Sequence, residues 1–164
     1  MAYNPSAWTE FAAGIVAASS ALAGLVFVAL SINVEGIIGM PGVPALALEG
    51  ITVLTTVLIA AIVLLTPGQS GSWLAAELIV IGLGHSLMVG VLAYRTYFAA
   101  LPEFRTKRIQ MALISLVPGA LVGVAGIGLA TNSIGGLYWL VPASVLGMLA
   151  GITNAWVLLI EIKR

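Results

Sequence analysis

The chain holds one histidine, His85, and it stands nearly midway along an apolar run from Trp73 to Phe98. An ionisable side chain at the centre of a bilayer costs at least ~2.5–3.5 kcal/mol on insertion scales, so it needs a partner or a role. Imidazole titrates near neutral pH. His85 could therefore carry or sense a proton, or touch a ligand or ion in a midplane cavity. In the plainer reading it is a neutral ring donating to a Ser, a Thr or a carbonyl of a neighbouring helix. Glu77 lies eight positions earlier, about 12 Å nearer one face at 1.5 Å per residue. It suits an interfacial residue or the outer mouth of a polar path. Arg95 follows Glu77 by 18 residues, about five helical turns, so the two share a face while His85 sits roughly 80° round. Arg95 is either a lipid anchor reaching for phospholipid headgroups or one half of an ion pair with Glu49.

A second polar group gathers towards the Arg95 end. Asn33 and Glu35 close the first apolar run, Glu49 opens the second, and Asn154 lies two-thirds of the way down the last. Glu49 has more than three apolar residues between it and the Pro44 turn, which leaves its carboxylate least explained by solvent. Glu49, Glu35 and Asn33 could line a cation site or pore mouth, and in an oligomer they would repeat as rings of the kind that select cations. Ser19, Ser20, Ser31, Thr52, Thr55 and Thr56 bond back to their own helix carbonyls and receive no role. Pro118, followed by Gly119, removes a backbone hydrogen bond and kinks its helix, either as a static bend or as a hinge.

Composition limits what else these residues can do. Hydrophobic residues make up 61% and charged residues 7% of the 164, with a mean hydropathy of +1.17, whereas a soluble domain carries roughly 25% charged residues. The chain is therefore read as an integral membrane protein. Six basic and six acidic side chains balance to zero, which disfavours nucleic acid as a partner. With no cysteine, no aspartate and a single histidine, thiolate sites, disulfides and most hydrolytic constellations are excluded. No metal, no cofactor and no catalytic residue is expected. The glycine-rich stretch from Gly119 to Gly128 lacks the Lys-Ser/Thr of a phosphate loop and reads as packing surface.

The elements that must position these residues are five spans of about 20 residues or more, giving an all-α membrane bundle in a single domain over 1–164. They run from about Phe11 to Asn33, Ala45 to Thr66, Trp73 to Phe98, Ile109 to Ala130 and Leu137 to Ile160, joined by turn-rich loops such as Gly36 to Pro44. The first lacks a basic n-region and is too long for a signal peptide. All six basic residues fall at the third-to-fourth connection or the C-terminus, which predicts the N-terminus outside and the C-terminus cytoplasmic. Trp8, Trp73 and Trp139 then mark the outer interface, and Tyr94, Tyr97 and Phe98 the inner one.

Small residues recur in helical register at Gly14, Ala17, Ala21 and Gly24, at Gly82, Ser86 and Gly90, at Gly119 and Gly123, and at Ala143, Gly147, Gly151 and Ala155. Such stripes let helices approach closely in lipid. They serve packing within the bundle or, with the fifth span as leading candidate, a subunit interface in a homo-oligomer.

The stretch Trp8-Thr9-Glu10-Phe11, followed by Ala17-Ala18-Ser19-Ser20-Ala21-Leu22-Ala23-Gly24 and on to Asn33, resembles a group of small actinobacterial-type membrane proteins. Some of these carry the provisional label of modulator of a membrane AAA protease. The resemblance covers the first span and implies a bacterial inner-membrane location without a cofactor. Together these readings predict a channel or small-solute or ion transport role, with a non-catalytic partner or regulator of a larger membrane complex as the alternative.

Overall fold

The computed structural model describes residues 1–39, 42–99 and 105–156. It is built of helices α1 (Thr9–Ile32), α2 (Val34–Gly39), α3 (Val43–Leu64), α4 (Gly71–Ala99), α5 (Arg105–Thr131) and α6 (Leu140–Trp156). Single 3-10 turns lead into α1 at Pro5–Trp8 and into α6 at Gly136–Trp139. Among the described residues five helices are long and apolar enough to cross a membrane: Pro5–Ile32, Val43–Leu64, Gly71–Phe98, Arg108–Thr131 and Gly136–Thr153. This is the expected bundle of five spans. The helical form follows because a lipid core offers no partner for backbone N–H and C=O groups, which a helix pairs within itself. The last part of the fifth predicted span, to Ile160, lies outside the described residues.

The connection expected from Gly36 to Pro44 is partly helical instead. α1 breaks at Asn33 (φ −113°, ψ 18°), and α2 restarts at once, with the Ile37 amide bonding the Asn33 carbonyl at 3.0 Å. The cause is a small apolar cluster in which Ile37 and Ala47 are buried against Leu30 and Val43.

α3 is the hub and packs against α1, α4, α5 and α6. α1 is peripheral. It touches its neighbours through a seam of buried residues at a seven-residue spacing, Ala12, Ser19, Val26 and Asn33, the repeat of helices that cross at a shallow angle. Its opposite face carries Gly14, Ala17, Ala18, Ala21 and Gly24, all exposed, and a Cβ at Gly14 or Gly24 would meet nothing within 4 Å.

Glycines set how closely the inner helices approach. A Cβ on Gly82 of α4 would sit 2.7 Å from the Gly123 nitrogen and 2.8 Å from the Gly119 oxygen of α5. One turn on, a Cβ on Gly126 would lie 2.8 Å from the Ala75 oxygen. In α6, Gly147 rests against Val57 and Gly151 against Leu54, both of α3. Gly147 and Gly151 of the fifth-span stripe are thus consumed inside the chain, which is the packing reading and not the alternative of a subunit interface.

Contacts between loops fix which helix ends share a side. The Leu137 amide bonds the Ala2 carbonyl at 2.9 Å, and the Trp8 ring meets the Tyr138 ring edge-on at 5.0 Å between centroids. Trp73 is 70% exposed, as an interfacial tryptophan should be, but Trp8 is only 7% exposed. Trp8 has the expected depth and the opposite direction: it plugs the end of the bundle, its indole N–H donating to the Met1 carbonyl at 3.1 Å. At the other end Tyr94 and Phe98 are exposed and tilt together at 4.7 Å.

Gly82→Val should force α4 off α5 and lower stability by about 1–3 kcal/mol or more, while Gly90→Ala, where a Cβ meets nothing within 4 Å, should leave it nearly unchanged. Thermal unfolding of the two variants in detergent checks the contrast.

Candidate functional site

His85 is the fifteenth of the 29 residues of α4 and is 3% exposed. It meets α3 on one side and α5 on the other. Nδ1 lies 2.8 Å from the Thr56 hydroxyl of α3, and Nε2 lies 2.8 Å from the Ser115 main-chain carbonyl of α5. A carbonyl oxygen only accepts, so Nε2 carries a proton here. Both ring nitrogens are thereby bonded, each to a different helix.

The Thr56 hydroxyl is also 2.8 Å from the Thr52 carbonyl, one turn back on α3. It has one proton to give. With a neutral ring, the hydroxyl donates to Nδ1. With an imidazolium, Nδ1–H donates to the hydroxyl oxygen and the hydroxyl proton turns to the Thr52 carbonyl. Either charge state finds acceptors for all its protons by a rotation about one C–O bond.

Local sequence explains why α5 can receive the ring. Gly119 faces His85, and a Cβ there would overlap the imidazole. Pro118, fully buried, precedes it and has no N–H for the Ile114 carbonyl, so the helix is loosened in the turn that also presents Ser115 O to the histidine. The hinge candidate and the histidine thus belong to one site, a link that their separation of 33 residues hides.

Glu49 is the second member. It is 5% exposed and lies seven residues before Thr56 on α3, two turns away and within about 20° of the same face. Among the described residues no hydrogen bond or ion pair joins it to His85. The carboxylate is enclosed by its own chain, which leaves it off any outer face from which a ring about an oligomer axis could be built. Arg95 is exposed on α4 beside Gly90, Val91 and Tyr94, and among the described residues no ion pair joins it to Glu49.

The remaining candidates spread out. Asn33 is buried and its amide donates to the Ala29 carbonyl at 3.2 Å. Glu35 is exposed on α2. Glu77, half-buried near the opposite end of α4, accepts from the Gln69 side chain in the loop before the helix, so it is tied to the interface loop and not to His85. The side chain of Asn154 lies outside the described residues. His85 and Glu49 are the two ionisable candidates buried on the neighbouring helices α4 and α3, and among the described residues no group of three or more metal-ligating side chains forms.

Sequence reasoning passed over Thr56 and Ser115. Thr56 does bond back to its own helix, as expected, but the same hydroxyl serves His85. Ser115 contributes only its carbonyl, which no residue type announces. The signal available was the i, i+3, i+7 spacing of Glu49, Thr52 and Thr56, which sets them along one face of α3. Thr52, Thr55, Thr56 and His85 line a groove of about 300 Å³ between α3 and α4. By contrast, a core void bordered by Phe11, Val57, Val122, Leu140 and Ser144 measures about 10 Å³, roughly the least that holds a water, so that part of the interior is packed.

No family model, curated protein or solved structure matches the chain.

Thr56→Val, which keeps the shape and removes the hydroxyl, should leave Nδ1 without its partner and cost about 1–3 kcal/mol, read as a lower midpoint of unfolding in detergent. In the same protein, nitrogen NMR of the neutral ring should show the proton on Nε2; a neutral ring protonated on Nδ1 would contradict the bond to Ser115.

Proposed function

We propose that the chain is a multi-pass protein of the bacterial cytoplasmic membrane with a small-solute or ion transport role, in which His85 takes up and releases a proton. The observation that supports this most is the bonding of His85. A titratable ring at the centre of a spanning helix has acceptors ready for both of its charge states. A purely structural histidine needs acceptors for one state only. A buried charge is tolerated better when polar groups compensate it, and here the Thr56 hydroxyl and Ser115 O stand in those places.

In this reading the groove in which Thr52, Thr55 and Thr56 stand among Ile51, Ile59 and Ile81 is the side from which the histidine is approached. The Pro118-Gly119 turn of α5 is where the bundle flexes. The Arg95, Arg105 and Arg108 end is cytoplasmic and the Trp73 and Trp139 end external, since basic flanks are retained inside. The chain works without a cofactor and without catalysis, as a homo-oligomer whose contact is the open small-residue face of α1.

That same face favours a second reading, a non-catalytic partner or regulator of a larger membrane complex. Gly14, Ala17, Ala21 and Gly24 would then seat a helix of another protein. A partner recovered in stoichiometric amount from native membranes supports the second reading, and a closed homo-oligomer the first.

In liposomes the purified protein should dissipate a proton gradient, alone or with a co-transported small solute. His85→Gln and Glu49→Gln should each lower the rate at least about tenfold while the far-ultraviolet circular dichroism stays helical. Absence of flux under every gradient and pH tried would overturn the transport reading.

A further inference from the structure

A groove of about 380 Å³ runs between α4 and α5 at the end of the bundle opposite Trp73. Its walls include Tyr94, Tyr97, Phe98, Ile109 and Leu113, and Arg108 is the one charged side chain among the described residues that line it. Arg105 stands one turn before Arg108 on α5, so the two guanidiniums emerge on neighbouring positions of one helix face. Arg105 lies over the Tyr97 ring, 5.2 Å from its centre. Arg108 lies beneath the turn before α3, where a Cβ on Gly42 would be 3.1 Å from its Nη2. Gly42 has φ +84°, a left-handed conformation that suits glycine.

Arg105 Nε and Arg108 Nη1 are buried atoms with no hydrogen-bond partner. An unmet donor on a charged group is costly to bury, so these two nitrogens call for an acceptor from outside the described residues. The groove specifies what else that acceptor must carry. A free anion would satisfy the arginines and leave the aromatic and aliphatic walls bare, and a zwitterionic lipid would bring its own ammonium towards them. Aromatic side chains at a helix end and basic side chains between spanning helices are the chemistry that receives a negatively charged headgroup with its chain.

We propose that this groove binds an acidic phospholipid, its phosphate bonded by Arg108 with the Arg105 charge one turn away, and one acyl chain laid between α4 and α5 along Tyr94, Phe98 and Leu113. The site is separate from His85 and holds whatever that residue does.

The test uses the whole purified protein in detergent, titrated with dioleoyl phosphatidylglycerol, dioleoyl phosphatidylcholine or inorganic phosphate, with bound lipid counted by native mass spectrometry. Phosphatidylglycerol should bind and phosphatidylcholine should not compete with it. Arg108→Gln and Arg105→Gln should each weaken phosphatidylglycerol binding at least about fivefold, the equivalent of about 1 kcal/mol per arginine beside an anionic lipid. Leu113→Trp fills the groove at a residue already 59% exposed and leaves both arginines in place, so it should weaken binding in a protein that still folds. Equal binding of the two lipids would overturn the proposal, as would phosphatidylglycerol binding that none of the three variants changes. Inorganic phosphate binding as tightly as the lipid would overturn it too.

Discussion

The two hydrogen bonds of His85 tie together the three helices on which the bundle depends. In water such bonds exchange with solvent and their net worth is small. At the centre of an apolar layer the exchange has no partner, so the Thr56 hydroxyl and the Ser115 carbonyl must hold the ring or leave it uncompensated. This requirement fixes the rotation of α3, α4 and α5 about their own axes. Each helix has long apolar faces that would be equally content in several rotations, and only one brings the hydroxyl, the imidazole and the carbonyl to the same point.

Close approach through glycine makes that point reachable. Gly119 leaves room for the imidazole, and Gly82 lets the α4 backbone lie on that of α5 three residues away. Packing and polar satisfaction are therefore one problem in this molecule, since a larger residue at either glycine would separate the helices and part the hydrogen bonds with them. α6 uses the same device against α3 at Gly147 and Gly151. α1 does not; its Gly14 and Gly24 point away from the bundle. The glycines of a single chain thus divide into those that seal its interior and those that leave a helix available to whatever lies beside it.

Depth was legible in the sequence, and direction was not. Hydropathy located all five spanning helices, and residue counting placed His85 at mid-depth and Trp8 at an interface, because position along a helix maps onto distance through the bilayer at a constant rise. Rotation about the helix has no comparable signal in spans that are apolar on every side. Hence Trp8 falls at the helix end where the sequence puts it but faces inward, and of the two readings of the fifth-span stripe the packing one holds where Gly147 and Gly151 meet α3. Thr56 was passed over for a related reason: a threonine that bonds only to its own helix and one that also meets a histidine are identical in sequence. Ser115 acts through its backbone, and the α2 helix arises from one buried side chain, Ile37, in a stretch of turn formers.

The shared proton of Thr56 reaches further than the ring it serves. Threonine hydroxyls bonded to the carbonyl one turn back bend the helix that carries them. In α3 that bond is made when the imidazole is charged and surrendered when it is neutral, because the hydroxyl has a single proton for two acceptors. A change of charge on the α4 side chain would therefore be felt by the backbone of α3. As the hub, α3 touches α1, α4, α5 and α6, so a carbonyl of the one helix that every other span packs against shares the hydroxyl proton with the histidine.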